Sequence, residues 1–162
     1  MREIIFADWE FPGLYADWTE FLSLALIKEN WDELYLEIET EWVINDFTKE
    51  NVLPYLSWNK VSKIDAKEKI LDFIWDSKPY FLSYVNSFDW MWICWLYWVF
   101  DVPFFWIPLD FATMLHQKWI DPETKPEDLA KRYNISLNGH KTHNALSDAR
   151  LIRELYLKIF TK

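Results

Sequence analysis

Carboxylates at three places in the chain, together with one histidine, are the residue types that bind divalent metal ions. Asp8 and Glu10 stand near the start of the sequence, Asp89 in the middle, and His143 and Asp148 near the end. Carboxylate oxygens are the ligands that Mg²⁺ and Mn²⁺ prefer, whereas zinc favours histidine and cysteine. If folding brings these residues together, they predict a site that holds two divalent ions and activates a water molecule.

The spacing of the first two acids predicts that they act as a pair. Asp8 and Glu10 are two residues apart in a run rich in β-formers, so both side chains leave the same face of a strand and Trp9 points to the other. Two carboxylates on one face repel each other unless a positive charge lies between them. A metal ion meets that need, and Trp9 is suited to the core.

The histidine near the end of the chain is predicted to lie beside the metals without binding them. His143 stands at or just before the start of a helix that contains Asp148. An offset of five residues puts the two on different sides of an ideal helix. An imidazole has an ordinary pKa of about 6.5, so His143 could accept a proton from water near neutral pH.

Each of these patterns has an ordinary structural alternative. The Asp8 and Glu10 pair could lie on a solvated strand face, Asp89 could cap a helix, and the spacing from His143 to Asp148 could arise by chance. Only their joint occurrence, in this order, favours a site.

The elements that must position these residues follow from hydrophobic periodicity and turn residues. Strands followed by helices that alternate with short strands predict an α/β fold, with a mixed central sheet, antiparallel first strands and flanking helices, in a single domain over residues 1–162. Ser87 or Asn86 is predicted to cap the helix that carries Asp89. The predicted strands span 3–11, 20–27, 33–38, 80–85 and 106–109, and the predicted helices span 47–56, 63–75, 87–98, 111–117, 126–133 and 145–159.

The composition narrows the class of protein. A formal net charge of −9 argues against a protein that coats nucleic acid by charge alone, although bound cations would offset four of the acids. One cysteine and no signal-peptide pattern predict a cytoplasmic location.

The aromatic-rich stretch 80–106 has its longest uncharged run at 90–100, too short for the roughly 20 residues of a membrane span. It is interpreted as core plus an apolar surface that would suit a subunit interface.

The motifs resemble those of a known family, the DEDDh 3′→5′ exonucleases of the ribonuclease H-like fold. The sequence Asp-Trp-Glu at 8–10 matches their first motif, Asn-Ser-Phe-Asp at 86–89 the second, and His-Asn-Ala-Leu-Ser-Asp-Ala-Arg at 143–150 the third. The run Asp-Trp-Glu-Phe-Pro-Gly-Leu at 8–14 is similar to the oligoribonuclease pattern. The stretch 84–97, with Cys94 five residues after Asp89, looks more like the bacterial exoribonuclease AS type, a relative of ribonuclease T.

The resemblance implies a mechanism and a set of residue roles. Two Mg²⁺ or Mn²⁺ ions would be cofactors and His143 the general base, with nucleoside 5′-monophosphates released from the 3′ end. The substrate would be single-stranded or short RNA; a DNA exonuclease and a non-catalytic binding protein are the alternatives. Relatives of this kind are often homodimers, and no membrane is implied. The proposed metal ligands are Asp8, Glu10, Asp89 and Asp148, and the proposed substrate-binding residues are Phe11, Gly13 and Leu14.

Other polar residues near the third motif have open roles at this stage. Lys141, Arg150 and Arg153 could contact substrate phosphates or be ordinary solvated charges. His116 and His140 are interpreted as surface or otherwise satisfied histidines.

Overall fold

A six-stranded mixed sheet forms the centre of the fold. The computed structural model describes residues 2–13, 20–41, 43–57 and 59–161. Its strands are β1 (Ile4–Glu10), β2 (Ser23–Lys28), β3 (Glu33–Ile38), β4 (Lys60–Val61), β5 (Tyr80–Ser83) and β6 (Leu109–Asp110). Their order across the sheet is β4-β3-β2-β1-β5-β6. The helices are α1 (Asp46–Asn51), α2 (Lys63–Ile74), α3 (Ser87–Tyr97), α4 (Phe111–Gln117), α5 (Pro126–Arg132) and α6 (Ala145–Phe160).

Strand β1 occupies the middle of the sheet and pairs differently on its two sides. It runs antiparallel to β2, with Asp8 opposite Ala25 and Glu10 opposite Ser23. On the other side it runs parallel to β5. The mixed α/β sheet with antiparallel first strands is therefore confirmed. Because β1 and β5 are parallel, both strands end at the same edge of the sheet, where the chain continues from β5 towards α3.

The pleat of β1 divides the core into two layers. Ile5, Ala7 and Trp9 pack with residues of α2 and α3 on one face. Ile4 and Phe6 pack with residues of α4, α5 and α6 on the other. Since side chains alternate along a strand, Asp8 and Glu10 continue the face of Ile4 and Phe6. The acids therefore emerge where the apolar part of β1 ends, on the face that α6 covers.

The aromatic-rich stretch divides between core and surface as predicted. Phe81, Trp92 and Phe104 are buried, whereas Phe100 and Trp106 are among its exposed side chains. Within the described ranges, no helix combines the length and the apolar character that crossing a bilayer requires.

Three predicted element details are wrong. The strand expected at 106–109 is only the two-residue β6, Leu109–Asp110. The helix expected at 47–56 ends at Asn51 and gives way to a 3₁₀ turn over Leu53–Tyr55, because Pro54 removes a donor that an α-helix needs. Asn86 takes the N-cap position of α3 with helical dihedral angles, so its side chain makes no capping hydrogen bond.

Candidate active site

Three of the four predicted acids converge at one point. Asp8 and Glu10 lie at the C-terminal end of β1, and Asp148 lies in the first turn of α6. Each offers a carboxylate oxygen, and these three oxygens lie within 4.8 Å of one another. Residues that are 138 positions apart in the sequence thus form a single acidic cluster, hereafter the three-acid cluster.

The fourth acid lies next to this cluster and is not one of the three converging groups. Asp89 is in the first turn of α3 and is almost fully buried. Its charge contributes to raising the pKa values of both Asp8 and Glu10. Asp89 is therefore close enough to interact electrostatically with the cluster.

Burial and mutual repulsion make the ionised cluster unstable by itself. Burial first, and then the charges of the neighbouring acids, hold the pKa of Asp8 well above its ordinary value and raise that of Glu10 to about 8. Burial likewise raises the pKa values of Asp89 and Asp148 to about 7. Among the described residues, no lysine or arginine forms an ion pair with any of these acids. Oxygen ligands without a protein cation are a donor set that fits a hard divalent metal ion.

The start of α6 fixes His143 beside the cluster. The side chain of Asn144 caps the helix by accepting a hydrogen bond from Ser147 N at 3.1 Å. His143, the residue before the cap, has a φ of 63°, a left-handed conformation that is uncommon outside glycine. In this conformation its backbone N–H donates to Asp148 Oδ2 at 2.9 Å. The backbone of the predicted base therefore binds a predicted metal ligand.

The imidazole of His143 contacts an aromatic ring of α1. The ring centroids of His143 and Phe47 are 5.0 Å apart and meet edge to face. His143 is outside the group of converging oxygens. The histidine lies beside the cluster because its backbone binds Asp148. It precedes the N-cap of α6, so the predicted helical offset does not account for its position.

The segment after Glu10 forms a wall that is tied to α1. Thr48 Oγ1 donates to the carbonyl of Phe11 at 3.1 Å, and Asn45 N donates to that of Pro12 at 3.0 Å. A Cβ on Gly13 would lie 2.5 Å from Asn45 Nδ2, so no larger residue fits without moving Asn45. The absence of a side chain at Gly13 therefore leaves room for Asn45. Leu14, the third predicted substrate-binding residue, lies outside the described residues.

Two cavities flank the three-acid cluster, and His143 lines both. The α1 cavity has a volume of about 480 Å³ and the α5 cavity one of about 320 Å³. The α1 cavity is lined chiefly by Glu10, Phe11, Gly13, Phe47, Val52 and His143. The α5 cavity is lined chiefly by Asp8, Tyr84, Lys125, Glu127, His143 and Asp148.

The interpretation of His140 as a surface or otherwise satisfied residue is wrong. Its side chain is only 11% exposed, and its Nε2 lies 3.3 Å from Asp148 Oδ1. No spacing rule identifies it, because the turn at Gly139, with a φ of 79°, brings the histidine back against α6. The only indication in the sequence is a second histidine three residues before His143.

Two of the three basic residues near the third motif are used within the fold. Arg150 forms a bidentate pair with Glu33 on β3. Arg153 is buried and donates to the backbone carbonyls of Lys28 and Glu29. Both side chains therefore anchor α6 to the sheet, and neither lines the two cavities.

The architecture matches that of solved nucleases along almost the whole chain. The structure of Escherichia coli exonuclease I superposes with a TM-score of 0.75 over 100% of this chain, at 15% sequence identity. A zinc-bound complex of that protein with single-stranded DNA also gives 0.75, and its complex with a dA16 oligonucleotide gives 0.74 over 97% of this chain. The chain has the fold of exonuclease I.

This structural similarity confirms the predicted ribonuclease H-like fold. The chain spans about two fifths of the length of the exonuclease I chains, 41% in the first and 42% in the zinc-bound complex. No protein-family model matches the sequence, and no curated protein matches it.

Proposed function

We propose that this chain is a metal-dependent 3′→5′ exonuclease that releases nucleoside 5′-monophosphates from single-stranded nucleic acid. The observation that carries the proposal is the convergence of the Asp8, Glu10 and Asp148 carboxylates beside His143, within the fold of exonuclease I. The acids occur in the order and spacing of the three DEDDh motifs. A scaffold without catalytic function would have no use for buried acids that repel one another.

The four acids are proposed to hold two divalent cations, Mg²⁺ or Mn²⁺. Asp8, Glu10 and Asp148 supply the converging oxygens, and Asp89 supplies a further carboxylate beside them. Bound cations of this kind activate water and stabilise the leaving oxygen of a phosphodiester. They would also neutralise the repulsion that raises the pKa values of the acids, so binding would be coupled to the release of protons.

His143 is proposed to accept the proton of the attacking water. Its backbone is held by Asp148 and its ring rests against Phe47, so the imidazole has a fixed place between the two cavities. A general base needs such a fixed position before its pKa matters. Because the imidazole is not one of the proposed metal ligands, it can take up a proton without dissociating from a metal ion.

The α1 cavity is proposed to receive the terminal nucleoside. Phe11 and Phe47 offer aromatic surface on which a base can rest, and Gly13 also lines the cavity. Leu14 is proposed to wedge against the terminal base. The α5 cavity, on the other side of His143, is proposed to face the adjoining phosphates of the strand.

The sugar of the substrate is the point on which two candidate substrates differ. The resemblance to oligoribonuclease and to the exoribonuclease AS type favours RNA. The structural likeness to exonuclease I, which is solved with single-stranded DNA and with dA16, favours DNA as the second candidate. Recognition of RNA would need a contact to the ribose 2′-OH.

The test uses matched single strands of RNA and DNA that carry a label at the 5′ end. With Mg²⁺ or Mn²⁺, we expect a ladder that shortens progressively from the 3′ end and the appearance of free 5′-monophosphates. The ratio of the two initial rates identifies the preferred sugar. Full-length strands with every combination of metal and sugar would contradict the proposed activity.

A further inference from the structure

A second histidine packs against the metal-binding face of α6 from outside the cluster. His140 Nε2 lies 3.3 Å from Asp148 Oδ1 and 3.8 Å from Glu127 Oε1, and its Nδ1 lies 3.0 Å from Ser147 Oγ. The imidazole is therefore bracketed by two carboxylates at one end and a hydroxyl at the other, and it is not a member of the three-acid cluster.

These neighbours determine which nitrogen carries the proton. Nε2 faces carboxylate oxygens only, so it must be an N–H, because two acceptors would repel each other. Ser147 Oγ already accepts a hydrogen bond from Lys141 N at 2.8 Å, which leaves its own proton free to point at His140 Nδ1. The tautomer with hydrogen on Nε2 lets Nδ1 accept from Ser147 and turns the Nε2–H towards the two carboxylates.

The N–H of His140 is buried and lacks an aligned hydrogen bond within the described structure. Of its two carboxylate neighbours, Asp148 is the nearer. Asp148 Oδ2 is already held by the backbone of His143 at 2.9 Å. The two oxygens of this one carboxylate thus have separate neighbours, a backbone amide on one side and an imidazole on the other.

Glu127 helps to keep the imidazole in this orientation. Thr142 Oγ1 donates to Glu127 Oε1 at 2.8 Å, which fixes the start of α5 against the loop before α6. Burial opposes ionisation of Glu127, but hydrogen bonds from its own backbone amide and from Thr142, and the nearness of His140, lower its pKa. An ionised Glu127 attracts the Nε2–H end of the ring.

We propose that His140 is a positioning residue, whose Nε2–H orients the carboxylate of Asp148 for binding a divalent cation. The inference rests on the proposed metal-dependent function and adds a residue to it. Groups that orient a metal ligand in this way change metal affinity by about 10- to 100-fold when they are removed. The role differs from that of His143, since His140 touches Asp148 from outside the cluster.

The test compares two variants of His140 whose side-chain amides place an N–H donor at the position of one or the other ring nitrogen. His140→Gln puts an N–H near the former Nε2, whereas His140→Asn reaches only as far as the former Nδ1. The control is His116→Gln, because His116 is exposed on α4. Mn²⁺ affinity is measured by electron paramagnetic resonance of the free ion, and the melting temperature is measured without metal.

We expect His140→Asn to weaken Mn²⁺ binding by about 10- to 100-fold and His140→Gln to weaken it by less than about threefold. Equal affinities for the two variants, whether both are normal or both are reduced, would overturn the orienting role of Nε2–H. A wild-type chain that binds no Mn²⁺ would overturn the proposed metal-dependent function itself. If the wild type binds Mn²⁺ and the two His140 variants bind it with equal affinity, only the role of His140 is overturned.

Discussion

The two cavities on either side of the three-acid cluster differ in the residues that line them. Among the described residues that line the α1 cavity, Glu10 and His143 are the only titratable side chains, and Phe11, Phe47 and Val52 supply apolar surface. In the α5 cavity, Lys125 and Glu127 join Asp8, Asp148 and His143, so charges of both signs meet there. The α1 side offers surface for a flat apolar group, whereas the α5 side combines three acids with one lysine.

If the chain binds single-stranded nucleic acid as proposed, this difference predicts binding that does not depend on base sequence. Two of the polar side chains of the α1 cavity are engaged within the protein: Asn45 Oδ1 accepts from Thr48 N, and Thr48 Oγ1 donates to Phe11 O. Stacking on an aromatic surface accepts every base because each has a flat face. On the α5 side, Lys125 is the only lysine or arginine among the described residues that line either cavity. We therefore expect weak base preference and a modest electrostatic contribution to binding.

Asp8→Asn is expected to have the largest effect, because both sides of the site depend on the shared cluster. Loss of one metal ligand should lower kcat by about a thousand-fold, or roughly 4 kcal/mol of barrier. The metal-free variant should also melt at a higher temperature than the wild type, because one source of repulsion is gone. Asp76→Asn is the matched control, since Asp76 is exposed. Retention of full activity by the Asp8 variant would refute the proposed metal site.

The metal-free protein is expected to lose stability as the pH rises, which tests whether the acids of the two cavities form one electrostatic unit. Glu10 lines the α1 cavity and has a pKa of about 8, whereas Asp148 lines the α5 cavity and has one of about 7. Because both values lie above the ordinary 4.5 and 3.8, the folded state keeps protons that the unfolded chain has already released. Stability is therefore fully present at acidic pH and is lost between about pH 4 and about pH 8, by on the order of a few kcal/mol.

Urea unfolding in EDTA across this pH range provides the measurement. The charge of Asp148 contributes to raising the pKa of Glu10, so Asp148→Asn should flatten the profile by more than its own titration. Mn²⁺ should restore more stability at pH 8 than at pH 6, because the ionised cluster binds it. A metal-free stability that stays level or increases over this window would show that the acids do not repel one another.

How much of this site could be predicted from the sequence depends on whether the geometry is local. The offset of an ideal helix does not describe His143, which precedes the N-cap of α6 in a left-handed conformation. The pairing of Asp8 with Glu10, by contrast, follows from the two-residue repeat of a strand. The order of the longer strands and helices follows from periodicity, although the two-residue β4 was not predicted. These relations need no knowledge of the tertiary structure.

The parts that could not be predicted depend on contacts between distant segments. His140 reaches Asp148 only because the turn at Gly139 returns the chain to α6, and Glu127 approaches from another helix. Arg150 is taken up by Glu33, which is 117 positions away in the sequence. Asn86 does not cap α3 through its side chain, and its backbone N–H donates to Asp110 on β6 instead. Local propensity carries no information about such partners.

Phe47→Ala is expected to have an intermediate effect that is confined to the α1 cavity. The change removes aromatic surface and the edge-to-face contact with His143 at 5.0 Å. Stacking of a base on an aromatic ring is worth roughly 1–3 kcal/mol, so kcat/KM should fall by about fivefold to about a hundredfold. Phe100→Ala, at a ring that is 93% exposed, is the control. Steady-state rates on strands with different 3′ bases should decrease together; a loss limited to one base would mean that the cavity reads base identity.

Lys125→Gln is expected to have the smallest effect, and it isolates the α5 side. Lys125 is exposed at the start of α5 and lines the cavity that contains Asp8 and Asp148. If it contacts one phosphate, its loss weakens binding by only about two- to fivefold, while the slope of log affinity against log salt concentration decreases by about 1. Lys69 is exposed on α2, which packs on the opposite face of the sheet, so Lys69→Gln should leave that slope unchanged. The measurement is fluorescence anisotropy of a labelled single strand in an Asp8→Asn background, where cleavage does not interfere. Equal salt slopes for the two lysine variants would place the strand outside the α5 cavity and leave the α1 cavity as the only substrate contact.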